Sequence, residues 1–78
     1  MPVLLQSARA LPNHEIELSL SNGERRIFDV TPYLDKGVFA QLRDPVYFGR
    51  VQARPRFVMW PHEQDLSLDT LLARSRVL

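Results

Sequence analysis

The sequence has no cysteine, a single lysine, a single tryptophan and only three glycines among its 78 residues. Without cysteine there are no disulfide scaffolds, Cys-ligated zinc, iron–sulfur clusters or thiol catalysis. The usual staple of small secreted domains is missing too, so a reducing cytoplasm is the expected compartment. Three isolated glycines, Gly23, Gly37 and Gly49, cannot build a phosphate-cradling loop. Long apolar runs are also lacking. The start, Met1-Pro2-Val3-Leu4-Leu5-Gln6, has a brief apolar patch with no basic residue before it. A secretory signal needs an apolar run of about 7–15 residues, and a membrane span needs about 20. No membrane association is expected.

Apolar residues make up 45% of the chain and charged residues 24%, the balance of an ordinary globule. The length accommodates one domain, expected over residues 1–78 with its core in 3–72 and a frayed tail at 73–78. A chain this small buries only roughly 60% of its extended surface, so its core must be well packed. Ten basic residues against nine acidic ones give a net charge of +1, which argues neither for nor against nucleic acid. Nine of the ten basic residues are arginine, which forms bidentate and stacked contacts that lysine cannot.

The clearest element is a strand from His14 to Leu20, in which His14, Ile16, Leu18 and Leu20 alternate with Glu15, Glu17 and Ser19. Ser21-Asn22-Gly23 then signals a hairpin, with a return strand from Glu24 to Val30. A two-residue loop would pair Leu18 with Ile27 and leave Phe28 and Val30 on the solvent face. A three-residue loop with Gly23 in a bulge pairs Ile16 with Phe28 and His14 with Val30 instead. Burying Phe28 and Val30 outweighs burying Ile27 alone at roughly 25 cal/mol per Å² of apolar area, so the bulged register is expected. Val3 to Ala10 supplies a third strand, the support a lone hairpin lacks.

Short helical turns follow. Thr31-Pro32 reads as an N-cap followed by proline in the first turn, with Gly37 as the stop. Val38, Phe39 and Leu42 recur at helical spacing, and Asp44-Pro45 repeats the cap-and-proline device before Val46-Tyr47-Phe48. Tyr33, Phe39, Tyr47 and Phe48 fall within sixteen positions, as expected of a helical lid laid on the sheet. Arg50 to Trp60 reads as a second hairpin turning at Pro55-Arg56. A last helix starts at the N-cap Ser67, with Asp69 in its first turn and Leu68, Leu71 and Leu72 on one face. The expected fold is α+β: an antiparallel three-stranded meander plus a second β-hairpin, in one sheet or two, covered on one face by short helices.

Little here points to catalysis. His14 and His62 are far apart, and Glu63 and Asp65 beside His62 suit a solvated turn better than a metal site. Ser7, Ser19, Ser21, Ser67 and Ser75 lack a Gly-x-Ser-x-Gly setting. Asp29, Asp35, Asp65 and Asp69 offer pairs of carboxylates, but Asp29 and Asp69 have structural roles beside helix starts. A domain of this size is not expected to enclose a deep pocket. No catalytic, cofactor or metal residue is expected. Arg25 and Arg26 lie near Glu15, Glu17 and Glu24, which would cancel their charge, whereas Arg50, Arg54 and Arg56 project from the second hairpin.

The ordered signals Ser21-Asn22-Gly23-Glu24, Phe28-Asp29-Val30, Pro32, Gly37, Phe39, Leu42, Asp44, Phe48, Val51, Trp60-Pro61 and Asp65-Leu66-Ser67 through Asp69 and Leu71 form one pattern. It resembles the bacterial domain-of-unknown-function 2442 family, from Val3 to about Leu72. The resemblance implies similarity in fold to the N-terminal domain of a bacterial protein that carries a helix-turn-helix after it. It also implies a frequent gene neighbour of the domain-of-unknown-function 4160 family, a pair suspected to form a toxin–antitoxin-like module. It brings no catalytic residue. Arg54-Pro55-Arg56 departs from the family pattern, where a glycine turn is expected. The resulting expectation is a non-enzymatic interaction module that binds a small protein encoded nearby through Arg50, Gln52, Arg54 and Arg56. Nucleic-acid binding as a regulatory accessory domain is the alternative, and it would be strongly salt dependent.

Overall fold

Two small antiparallel sheets share one core. A computed structural model describes residues 2–78. The first sheet contains β1 (Leu5–Leu11), β2 (Glu15–Leu20), β3 (Arg25–Asp29) and β7 (Arg76–Val77), in the order β1-β2-β3-β7. The second contains β4 (Gln52–Arg54), β5 (Phe57–Met59) and β6 (Asp65–Ser67), in that order. Between them lie 3₁₀ turns at Thr31–Tyr33 and Gly37–Arg43 and the single-turn helix α1 (Pro45–Phe48). Helix α2 (Leu68–Arg74) follows β6. No helix is long and apolar enough to cross a membrane among the described residues.

The hairpin register is the bulged one. Ile16 pairs with Phe28 and Leu18 with Arg26, while the Val30 N–H donates to the His14 carbonyl at 2.9 Å. Gly23 sits at φ +88°, a conformation glycine adopts freely, and its N–H closes on the Leu20 carbonyl. Ile16, Leu18, Leu20, Phe28 and Val30 are therefore all buried in one core. Ala8 and Ala10 on β1 and Ala53 on β4 are small and half-buried against that core, and β1 and β4 lie close together. The aromatic segment is a lid, as expected: Tyr33 stacks on Phe28 at 5.8 Å and meets Phe39 at 6.1 Å.

Asp44 caps α1 by accepting the Val46 N–H, and Ser67 caps α2 by accepting the Thr70 N–H, both as expected. Thr31 is not a cap. It lies inside the 3₁₀ turn, and its N–H donates to the Asp29 carboxylate two residues upstream. The donors a Thr31 side-chain cap would serve go to backbone carbonyls instead, Tyr33 N–H to Val30 and Leu34 N–H to Thr31. Two further elements depart from expectation. Asp65–Ser67 is a strand, with Val58 opposite Leu66. The tail is not frayed: α2 runs to Arg74, Arg76 pairs with Ile27, and the Leu78 N–H donates to the Arg25 carbonyl at 2.9 Å.

The tail is held because Ile27 faces away from the core. On that outer face Ile27 is nonetheless buried, with Glu17 and Arg76 opposite it on the flanking strands. Arg9 and Arg25 both pair with Glu17, and Arg76 pairs with Glu15, so long charged side chains roof the isoleucine. Arg26 points inward and donates to the Leu72 carbonyl at the end of α2 and to the Ser75 hydroxyl, which pins the helix C-terminus where a cation is favoured.

Removing residues 75–78 is expected to uncover Ile27 and lower stability by about 1–2 kcal/mol, read as a lower urea midpoint. The hydrogen bond from Arg9 holds the Glu17 carboxyl below its usual range, with the charges of Arg9 and Arg25 adding to it and desolvation partly opposing. A depressed folded value means that the carboxylate stabilises the fold above its unfolded pKa and that this contribution fades as pH falls through the folded value. Glu17→Gln is therefore expected to be less stable than the parent at pH 7 and to converge with it under strong acid. Paired urea titrations across that range check the sign.

Candidate functional site

Two polar assemblies stand out beyond the charged outer face. One is internal. Gln64 is 2% exposed, and its side chain is fully engaged. Its carbonyl accepts from the Tyr47 hydroxyl at 2.7 Å, and its amide donates to the Val38 carbonyl at 3.0 Å and to Gln41 Oε1 at 2.9 Å. The Tyr47 hydroxyl in turn accepts the His62 N–H, and His62 Nδ1 meets Gln41 Oε1 at 2.9 Å. Every member bonds another, so the cluster fixes the 61–64 turn, where Glu63 lies at φ +73°, and leaves no unengaged nucleophile. The His62, Glu63 and Asp65 grouping does not assemble: no set of three or more ligating side chains has metal-holding geometry among the described residues. His14 sits at φ +60° with its ring against Phe48 and Nε2 at the Arg43 carbonyl, before β2 rather than within it.

The second assembly is the sequence-predicted hairpin. Arg50, Gln52, Arg54 and Arg56 are all exposed. Gln52 and Arg54 occupy the outward side of β4 and are joined, Arg54 donating to Gln52 Oε1 at 3.0 Å. Arg50 and Arg56 lie beyond the two ends of β4, and neither bonds that pair. Arg9, Arg25, Arg26, Arg43 and Arg76 each pair with an acid. Among the described residues Arg50, Arg54 and Arg56 do not. The turn between the strands is fixed from both sides: the Pro55 carbonyl accepts the Leu5 N–H at 2.9 Å and the Arg56 carbonyl accepts the Leu68 N–H at 2.7 Å.

The structure adds residues that composition does not flag. Gln52 pairs with Met59 and Arg54 with Phe57, so Met59 and Phe57 share the outward face. Both are half-buried and neither packs on the core, while Val58 and Trp60 turn inward and are fully buried. Across β6 the same face ends in Asp65 and Ser67, both exposed. The period-two pattern of Phe57-Val58-Met59-Trp60 carries this signal once Trp60 is known to point inward.

An open depression of about 470 Å³ lies between the β2–β3 turn and the C-terminal strand, lined by Asn22, Gly23, Glu24, Arg25, Val77 and Leu78. It is a surface groove, and none of its lining residues is buried.

Gln64→Leu is expected to strand the Tyr47 hydroxyl and the Val38 carbonyl and to cost about 1–3 kcal/mol, read by thermal or urea unfolding.

No curated protein and no solved structure matches this chain. One family model does, over residues 5–77, nearly the whole chain and every element described above. On that match the chain belongs to the family described as protein of unknown function (DUF2442).

Proposed function

We propose that this chain is a non-enzymatic protein-interaction module that docks a small folded protein on the outward face of its three-stranded sheet. Phe57 and Met59 form the centre of that face, Gln52 and Arg54 flank them, and Arg50 and Arg56 extend it beyond the two ends of β4. The observation that carries this reading is the outward pair Phe57 and Met59, withheld from the core beside three arginines with no acidic partner among the described residues. Aromatic residues, methionine and arginine are the types enriched at protein interfaces. Uncompensated arginines attract an acidic partner surface and speed its encounter. The fixed Pro55-Arg56 turn supports the same reading, because a rigid strand pair presents side chains at little entropic cost.

The family resemblance supplies a partner to test: the small protein encoded beside such chains, held in an antitoxin-like pair in the cytoplasm. The triple variant Arg50→Ala, Arg54→Ala, Arg56→Ala removes side chains that pair with no acid, so its stability should stay within about 0.5 kcal/mol of the parent. Co-purification with the product of the adjacent gene is expected for the parent and lost for the variant. A folded triple variant that still retains the partner would overturn the site. A mobility shift at low salt that weakens steeply as salt rises would move the face to nucleic acid instead.

A further inference from the structure

The outward face of the three-stranded sheet has a charge pattern that matches itself. Its six residues form two rows, Arg54–Phe57–Ser67 and Gln52–Met59–Asp65, set by the strand pairing. Arg54 and Asp65 therefore stand at opposite corners, with the apolar pair between them. Both are exposed, and neither has an oppositely charged partner within the chain among the described residues.

A two-fold axis lying in the plane of this face, perpendicular to the line from Arg54 to Asp65, exchanges the two corners. It places Arg54 of each copy over Asp65 of the other and lays the Phe57–Met59 pair on its counterpart. With strands about 4.8 Å apart and alternate residues about 6.7 Å apart, that axis lies about 35° from the strands, so the two sets of strands cross each other at roughly 70°, near the orthogonal class of sheet packing. The arrangement is isologous, as closed two-fold pairs require.

We infer that this face docks a second copy of the chain, closed by two reciprocal Arg54–Asp65 ion pairs around Phe57 and Met59. A face of three short strands is far smaller than a standard interface, so the pair is weak and concentration dependent. Self-association uses the face proposed above for a protein partner but does not depend on that partner. The measurement uses purified chain alone, so its failure is distinct from a failed co-purification.

The test is sedimentation of the full chain from about 10 μM to about 1 mM, a range that spans weak dissociation constants. The parent should shift from monomer towards dimer, and higher salt should oppose the shift. Arg54→Asp and Asp65→Arg, each placing like charges face to face, should remain monomeric. The double variant Arg54→Asp, Asp65→Arg should recover association to within about threefold of the parent. Phe57→Glu should abolish it, and circular dichroism confirms that each variant is folded. A parent that stays monomeric to 1 mM overturns the proposal, as do single variants that associate like the parent or a folded double variant that does not recover.

Discussion

The structure depends on pressing a sheet too small to stand alone onto a larger one, and Trp60 closes that joint. Strands of three residues have no independent stability, so β4–β6 exist only because Val58, Trp60 and Leu66 enter the core of β1–β3. Trp60 is fully buried and stacks on Phe48 at 5.8 Å. A buried indole needs a partner for its N–H, and here it donates to the Phe48 carbonyl at 2.9 Å. Losing a buried tryptophan typically costs about 3–5 kcal/mol, against a total stability of about 5–15 kcal/mol for a domain. No disulfide shares that burden, because the chain has no cysteine.

Once the joint is set, the backbone fixes the rest. The Pro55 and Arg56 carbonyls bind β1 and the start of α2, so the turn of the second hairpin joins both sheets and the last helix. A glycine turn at this position would reach the same bonds with greater freedom to lose on folding. Proline removes part of that freedom in advance. The arginines flanking Pro55 thus project from one of the best-anchored turns in the chain.

Features legible in the sequence were those settled within a few residues. The His14–Leu20 alternation, the Gly23 bulge and the Asp44 and Ser67 caps each follow from local geometry and the face to be buried. Thr31 misled because the donors its side chain would cap are taken by the backbone carbonyls of Val30 and Thr31. β6 and β7 were hidden because strands of two or three residues carry too few alternations to read. The partners of β7 also lie far upstream, with Arg76 opposite Ile27. Gln64 reads as a loop amide, and only the approach of Tyr47, Val38 and Gln41 makes it the anchor of its turn. Half of the candidate site was legible: composition points to Arg50, Gln52, Arg54 and Arg56. The other half, Phe57 and Met59, depends on which side of β5 meets the core.

The two outer faces answer the same problem differently. On the four-stranded sheet Ile27 faces solvent, and the chain covers it with its own charges, through Arg9, Glu17 and Arg25 on one side and Glu15 with Arg76 on the other. On that face Ile27 is roofed, and Arg9, Glu15, Glu17, Arg25 and Arg76 are all ion-paired. On the three-stranded sheet Phe57 and Met59 also face solvent, but among the described residues no ion-paired roof forms over them, and Arg54 bonds Gln52 and the Ala53 carbonyl. A net charge of +1 conceals this division. The same fold roofs one outward apolar surface with its own ion pairs and leaves the other without such a roof among the described residues, and that difference is the physical basis of the docking proposal.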